Sequence, residues 1–185
     1  MESLIPALWM VWGLYWWISA YGVKPAQRRE GPVSRAAHIV PLVVAGLLLA
    51  SPALPGWLGE RWLPRSLAAY WGGVACVAMG LALAIWARIE LGGNWSGIVT
   101  VKEAHEMVQS GPYRMVRHPI YSGLLLAFLG SALPRGEWRG LLAFAIASIT
   151  LWRKLTLEER WLAEVFGSQY ARYRAASWAL IPWVL

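Results

Sequence analysis

Five apolar segments, separated by short charged gaps, constrain the fold of this chain more than any other feature of its 185 residues. They cover residues 4–21, 37–54, 67–89, 120–133 and 140–152. A helix that crosses a bilayer needs about 20 apolar residues, with a range of about 17–25. The first three segments reach that length and the last two are shorter. We therefore predict an all-α integral membrane protein with about five transmembrane helices, the last two short.

The composition supports this class. Hydrophobic residues make up 58% of the chain and charged residues 15%, whereas soluble domains average about 45–50% and about 25%. We expect one domain over residues 1–185, with three helices in 1–90 and a binding loop, a helical hairpin and C-terminal helices in 91–185. The net charge of +7 does not indicate nucleic-acid binding, because the basic residues lie in the gaps between apolar segments. The single cysteine, Cys76, excludes an intrachain disulfide and a cysteine metal cluster, and we expect no metal site.

The basic residues also predict the orientation. Most of them fall in the first gap, the third gap and the C-terminal tail, and cytoplasmic segments carry the excess of lysine and arginine. We expect a bacterial or archaeal cell membrane protein with its N-terminus outside, its C-terminus inside and residues 91–119 facing the cytoplasm. The N-terminal segment lacks a basic start and a cleavage site, so we expect a retained helix and not a signal peptide.

Two local patterns predict the structure of the C-terminal half. The stretch "PRGEWRG" has the proline, glycines and charges of a tight helical hairpin. After Trp152, apolar residues recur at helical spacing, which predicts a cytoplasmic amphipathic helix. We expect Gly167 to end that helix and Ser168 to cap a short helix that carries Tyr170 and Tyr173.

The stretch "GPYRMVRHPIYSG", residues 111–123, is the most unusual part of the sequence. Gly111-Pro112 predicts a turn, and Pro119 suits the first turn of a helix that begins at Ile120. The exposed N–H groups of a helix start hold carboxylates, and tyrosine faces hold cations. A ligand with both groups, such as S-adenosylmethionine, suits this place, as do nucleotides and lipid headgroups.

The same stretch and its downstream partners resemble a known family. "His105-x-Met-Val-x-x-Gly-Pro-Tyr-Arg-x-x-Arg-His-Pro-x-Tyr-x-Gly" is followed by "Arg153-x4-Glu-Glu" and by "Phe-Gly-x-x-Tyr-x-x-Tyr". In this order the motifs resemble the isoprenylcysteine carboxyl methyltransferase family, small prokaryotic type, which is related to the phospholipid methyltransferases. The resemblance covers residues 91–185, about half of the chain.

The resemblance implies a site, a cofactor and a substrate class. The cofactor is S-adenosyl-L-methionine, and the substrate is a lipophilic molecule or lipid that enters from the bilayer, with no obligate protein partner. It implies catalytic roles for Arg153 and Glu159. The implied cofactor-binding residues are His105, Val108, Tyr113, His118, Pro119, Tyr121, Gly123, Glu158 and Glu159. Candidate substrate-binding residues are Asn94, Trp95, Tyr170 and Arg172.

The sequence leaves the methyl acceptor open. A carboxylate acceptor is already ionised at neutral pH and needs positioning, which a bidentate contact from Arg153 supplies. The alternative acceptor is a phospholipid amine, for which a glutamate or His105 takes the proton. Two further alternatives are an NADPH-dependent protein similar to sterol reductases, which share an Arg-His-Pro-x-Tyr segment but are longer, and a non-catalytic membrane scaffold.

Overall fold

Apolar helices account for most of the fold. The computed structural model describes residues 4–52, 55–96, 100–102 and 107–184. Over these ranges it contains six α-helices and two short strands: α1 (Leu4–Ser19), β1 (Ala26–Arg29), α2 (Pro32–Ala50), α3 (Leu67–Leu91), β2 (Thr100–Lys102), α4 (Pro119–Arg135), α5 (Trp138–Phe166) and α6 (Ser168–Ala175). Single 3₁₀ turns lie at Trp57–Gly59, Gly92–Asn94 and Gly111–Arg114. The prediction of a helical membrane protein is confirmed at this level.

The lengths of the apolar helices differ from those expected. Among the described residues, three helices are long and apolar enough to cross a membrane: Pro32–Ala50, Leu67–Asn94 and Trp138–Phe166. Helix α1 has 16 residues and is shorter. The last apolar segment does not stop at Trp152, because nothing between Trp152 and Phe166 breaks the helix. Helix α5 therefore continues for 29 residues and includes the stretch for which we expected a separate amphipathic helix.

The local signals at the ends of these helices act as expected. Helix α4 begins at Pro119 and ends before Gly136, which has a φ of +59°. Two residues later α5 begins, so the "PRGEWRG" stretch forms the predicted hairpin. Gly167, with a φ of +48°, separates α5 from α6. Gly167 itself occupies the N-cap of α6, where Ser168 was expected.

Small residues bring α3 and α4 into close contact. A Cβ on Gly73 would lie 2.6 Å from the Pro134 ring, and one on Gly130 would lie 2.7 Å from the Cys76 Cβ. Further along the same pair, Gly80 and Gly123 face each other, and a Cβ on either would overlap the opposite backbone. Backbones of membrane helices approach this closely where glycines replace larger residues.

Helix α5 packs against α2 and α4. A buried cluster, with residues from α3, α4 and α5, contains Ala87, Tyr113, Ile120, Tyr121, Leu151, Leu155 and Leu180. The stretch after α6 joins this cluster through the backbone. Arg117 N–H donates to Trp178 O at 2.8 Å, and His118 N–H donates to Ala179 O at 3.0 Å.

A two-stranded antiparallel sheet connects distant loops. Strand β1 lies between α1 and α2, and it pairs with β2 through Arg28↔Val101 and Arg29↔Thr100, with an irregularity between Ala26 and Arg28. Arg28 also extends to α5, where its Nη1 lies 2.7 Å from Glu164 Oε2 and its guanidinium lies 4.2 Å from the Trp161 ring centre. The segment between α1 and α2 is thereby attached to the C-terminal end of α5.

Candidate active site

Two backbone features shape the stretch 111–123. Gly111 has a φ of +54°, a conformation that side chains other than glycine rarely adopt. A Cβ there would also lie 2.7 Å from the side chain of Glu90, whose Oε2 accepts a 2.6 Å hydrogen bond from Ser110. His118 is the N-cap of α4, and as the residue before Pro119 it is kept out of the helical conformation. The turn and the helix start together direct the Tyr113 and His118 side chains inward, where both are buried.

The ring of His118 lies between two carboxylates of α5. Its Nδ1 is 3.6 Å from Glu158 Oε2 and its Nε2 is 3.4 Å from Glu159 Oε1, and 6% of the side chain is exposed. Burial alone lowers the pKa of His118, but the two glutamates favour the protonated ring and raise the pKa above its ordinary value. The imidazole therefore balances part of the negative charge of the glutamate pair.

Tyr121 connects the same cluster to Glu158. Its hydroxyl donates a 2.6 Å hydrogen bond to Glu158 Oε1, and its ring stacks on His118 with the ring centres 5.4 Å apart and the planes 1° from parallel. On the other side, Lys154 Nζ lies 3.9 Å from Glu158 Oε1 and 5.4 Å from the centre of the Tyr121 ring. Glu158 is thus surrounded by a phenol, an imidazole and an ammonium group.

Glu159 has a different set of partners. Arg117 Nε donates to Glu159 Oε1 at 2.7 Å, with 9% and 12% of the two side chains exposed. The same guanidinium donates to the carbonyl oxygens of Arg174 and Ser177. Glu159 therefore ties the 111–123 stretch and the end of α6 to α5, next to the His118 ring.

His118, Tyr121, Lys154 and Glu158 line a cavity of about 320 Å³, a volume within the range of small-molecule sites, about 300–1,000 Å³. Apolar residues of α1, α2, α4 and α5 line the same cavity, among them Trp12, Trp16, Leu42, Leu124 and Leu151. The loop after α3 closes one side with Trp95, whose ring lies 4.4 Å from the Arg88 guanidinium. Polar and apolar side chains therefore line one cavity inside the helical bundle.

Several polar atoms at the cavity suit a ligand. Trp12 Nε1 and Asn94 Oδ1 are buried and have no hydrogen-bond partner within the described part of the chain. Burial raises the pKa of Tyr173 to about 12, and it also raises the pKa of Tyr113 and Tyr170. These phenols stay neutral at physiological pH and act as hydrogen-bonding groups.

A family model described as phospholipid methyltransferase matches residues 68–169, more than half of the chain. The chain belongs to the phospholipid methyltransferase family. The matched region begins in α3 and ends in α6, so it contains His118, Tyr121, Glu158 and Glu159. The family resemblance inferred from the sequence motifs is confirmed.

This phospholipid methyltransferase family member is similar to several curated proteins. Protein-S-isoprenylcysteine O-methyltransferase B of Arabidopsis thaliana is 29% identical over 118 residues, which cover 60% of this chain and 58% of the plant protein. Protein-S-isoprenylcysteine O-methyltransferase of Schizosaccharomyces pombe is 34% identical over 104 residues, covering 53% and 43%. Methanethiol S-methyltransferase 1 of Bradyrhizobium diazoefficiens is 41% identical over 71 residues, covering 38% and 24%. The chain spans about half the length of the first two relatives.

In this phospholipid methyltransferase family member, most of the site residues expected from sequence are brought together. Those that line the cavity are Asn94, Trp95, Val108, Tyr113, His118, Tyr121, Glu158 and Tyr170. Glu159 lies behind His118, and Pro119 is buried at the start of α4. Gly123 lies at the contact with α3 instead of at the cavity. His105 lies outside the described residues.

Two arginines expected at the site are directed elsewhere. Arg153 is exposed, and its guanidinium donates to Ser34 O and Ser34 Oγ of α2 at 3.4 and 3.3 Å. Arg172 is exposed on α6 and lines, with Arg114, a second cavity of about 420 Å³. Neither lines the main cavity.

Lys154, Trp12 and Trp16 are among the cavity residues that were not expected from the sequence. Lys154 lies four residues before Glu158, a spacing typical of a helix-surface ion pair, but its side chain is 9% exposed and lines the cavity. Its position one turn before Glu158 and three residues after Leu151 places all three on one face of α5, which was the available signal. Trp12 and Trp16 lie in an apolar segment, where tryptophans typically mark the membrane interface. Their i, i+4 spacing, which lets both face one partner, was the signal for them.

Proposed function

We propose that this chain is an integral membrane methyltransferase that uses S-adenosyl-L-methionine. The acceptor is a lipophilic molecule, and the carboxylate of an isoprenylcysteine-like or other isoprenoid or lipid compound is the form that the cavity suits best. The observation that carries the proposal is that the Glu158–Tyr121–His118 cluster and many apolar side chains line the same cavity inside the bundle. The names of the Arabidopsis and fission-yeast relatives support this acceptor class.

The cavity residues fit the parts of the cofactor. The carboxylate of Glu158 suits an α-amino group, and the ring of Tyr121 together with the tryptophans of α1 suits a sulfonium and an adenine. The unpartnered Trp12 Nε1 and Asn94 Oδ1 are a donor and an acceptor for polar edges of the ligand. Val108, Tyr113, His118, Pro119, Gly123 and Glu159 stay in the proposal as the walls and supports of this cavity. His105 stays a cofactor-binding candidate on the family motifs alone.

The reaction requires little acid–base chemistry from the protein. The cofactor supplies a methyl group on a sulfonium; an acceptor carboxylate oxygen displaces the sulfur in line, giving a methyl ester and S-adenosylhomocysteine. Such a carboxylate is ionised at neutral pH, so the chain must orient it and exclude water. Lys154 supplies a cation that lines the cavity, as does Arg117, and it takes the role that the motifs implied for Arg153. Arg153 contributes from outside by holding α2 against α5.

The position in the membrane follows from the distribution of charge. Five membrane crossings, with α1 and α4 as the short ones, place the N-terminus outside and the site on the cytoplasmic side, where the cofactor is found. Lysines and arginines in the gap before α2, in the loop after α3 and after residue 152 support this orientation. The apolar lining of the cavity then receives the lipophilic acceptor from the bilayer.

Calorimetry with purified protein in detergent tests the cofactor. We expect binding of S-adenosylhomocysteine and none of NADPH, and we expect Glu158→Gln to weaken that binding about ten-fold or more, because a charged hydrogen-bond partner is lost. Glu60→Gln, at an exposed position outside the cavity, is the matched control and should bind normally. Binding of NADPH alone would favour a reductase, and binding of neither would contradict the proposal.

A phospholipid amine is the second candidate acceptor, and the description of the family model favours it. The two candidates differ in their products. Transfer of a radiolabelled methyl group into a total lipid extract, followed by mild base, releases label from esters and leaves N-methyl products intact. Base-stable label would assign the chain to amine methylation.

A further inference from the structure

The second cavity, of about 420 Å³, is formed by the 3₁₀ turn at Gly111–Arg114, the segment just before it and helix α6. Its lining residues are Gln109, Arg114, Gln169, Arg172, Tyr173 and Ala176. The lining therefore carries two guanidinium groups and two amides, and no carboxylate of a described residue is part of it. Tyr173 also lines the main cavity, so a ligand in the second cavity lies next to the main one.

The two arginines of this cavity lie on segments that a hydrogen bond joins. Arg114 follows Tyr113 in the 3₁₀ turn, and the Tyr113 carbonyl oxygen accepts a 2.7 Å hydrogen bond from the Tyr173 hydroxyl of α6. Arg172 directly precedes Tyr173. Neither guanidinium makes a hydrogen bond or an ion pair within the part of the chain that the structure describes. Two positive charges that share one cavity repel each other, and an anion between them removes that cost.

The donors in the cavity match a phosphate group. Arginine is always charged and contacts phosphate through two parallel N–H groups. Gln109 and Gln169 add neutral amide donors. All four side chains belong to exposed residues, so the cavity is open to a ligand from outside the bundle.

The surroundings of the cavity favour a membrane lipid as the source of the phosphate. Met115, next to Arg114, is 46% exposed, and its carbonyl oxygen accepts a 3.0 Å hydrogen bond from the Trp178 backbone N–H. The stretch after Trp178 is apolar, and Ile181 and Trp183 are 51% and 76% exposed. Exposed tryptophan and aliphatic side chains beside arginines are typical of the membrane interface.

We propose that the second cavity binds the phosphate group of an anionic phospholipid, with Arg114 and Arg172 on the phosphate and the acyl chains beside Met115 and Trp183. Arg114 lies five residues before Pro119, where the apolar helix α4 begins, and lipid headgroups lie at the level of such helix ends. Basic pockets beside membrane helices bind anionic headgroups. The inference does not rest on the proposed function, because lipid binding needs neither cofactor nor methyl transfer.

Native mass spectrometry of the purified protein in an uncharged detergent tests the site. The probe is phosphatidylglycerol at increasing concentration, and the readout is the fraction of protein that carries one lipid molecule. We expect the double variant Arg114→Gln with Arg172→Gln to need about ten times as much lipid for half-occupancy, because two charged contacts to phosphate are lost. Its thermal midpoint should equal that of the wild type, since both residues are exposed.

A matched control removes the same charge elsewhere. Arg65→Gln with Arg160→Gln also lowers the net charge by two, at exposed positions outside both cavities, and should bind phosphatidylglycerol as the wild type does. Met115→Gln keeps both cavity arginines and should weaken binding by a smaller factor. Diacylglycerol has acyl chains and no phosphate, and it should bind the wild type and the Arg114/Arg172 variant equally.

Two results would overturn the inference. One is equal binding of phosphatidylglycerol by the wild type and the Arg114/Arg172 variant. The other is an equal loss in the Arg65/Arg160 control, which would indicate general attraction between charges. Displacement of the lipid by inorganic phosphate at the same concentration would overturn the assignment to a lipid. Failure of the wild-type protein to bind S-adenosylhomocysteine would overturn the proposed function and leave the lipid result intact.

Discussion

The Tyr121 hydroxyl donates a 2.6 Å hydrogen bond to Glu158 Oε1 and so joins the start of α4 to the middle of α5 inside the cavity. Lys154 and His118 flank the same carboxylate. The orientation of Glu158 toward a ligand therefore depends on partners from two helices. One of them, Tyr121, can lose its hydroxyl without a change in shape.

Tyr121→Phe should weaken binding of S-adenosylhomocysteine about ten-fold. A hydrogen bond to a charged group contributes about 1.5–3 kcal/mol, and its loss frees the Glu158 carboxylate to rotate. Calorimetry in detergent measures the effect. Tyr21→Phe is the control, since Tyr21 is 71% exposed. If Tyr121→Phe leaves the affinity unchanged, the orientation of Glu158 by Tyr121 does not contribute to binding.

Local signals made part of the site predictable from sequence. Gly111, Pro119 and Gly167 each act through their own backbone, so the turn, the start of α4 and the break after α5 could be inferred without knowledge of the fold. The polar residues that follow Leu91 lie close in sequence to Gly111 and Pro119. The backbone turns at these two residues therefore bring the polar side chains together. The family motifs alone implied that Tyr121 and Glu158, 37 residues apart in sequence, lie at one site, and their hydrogen bond was not predicted.

Long-range packing explains what the sequence did not predict. Trp12 and Trp16 reach the cavity because of how α1 packs in the bundle, and no motif marks them. The direction of Lys154 and Arg153 depends on the rotation of α5 about its axis, which the buried Leu151 and Leu155 determine. The contribution of α2 to the cavity depends on the contact between α2 and α5. The spacing of residues along the chain does not predict that contact.

The contact between α3 and α4 predicts opposite effects for two adjacent glycines. Gly73→Ala should destabilise the protein by about 1–3 kcal/mol, because its Cβ would lie 2.6 Å from the Pro134 ring. Gly72→Ala has no atom within 4 Å of the new Cβ and should be neutral, or stabilise the helix by up to about 1 kcal/mol. Thermal unfolding in detergent compares them. Equal effects would show that the two helices do not pack in this register.

Two arginines, Arg117 and Arg174, lie near the Glu159 carboxylate, and their contributions to stability can be compared. Arg117→Gln should lower the free energy of unfolding by about 3–5 kcal/mol, because it leaves the buried Glu159 carboxylate without its closest cation. Arg174→Gln should lower the free energy of unfolding by less than about 1 kcal/mol. The Arg174 Nε lies 3.8 Å from Glu159 Oε2, and the Arg174 side chain is 65% exposed. Thermal unfolding measures both, and limited proteolysis of the C-terminal stretch should be faster in the Arg117 variant alone. A large effect from Arg174→Gln would contradict this ranking.

The raised pKa of His118 predicts how stability depends on pH. A histidine whose pKa is higher in the folded than in the unfolded state stabilises the fold fully below about pH 6.5, and this contribution is lost as the pH rises through the folded-state pKa. The thermal midpoint of the ligand-free protein should therefore fall over that interval. His118→Gln should be less stable at acidic pH and show a smaller fall, because Gln cannot charge between Glu158 and Glu159. Subtracting the two profiles removes the contributions of His38 and His105, and parallel profiles would show that folding does not change the pKa of His118.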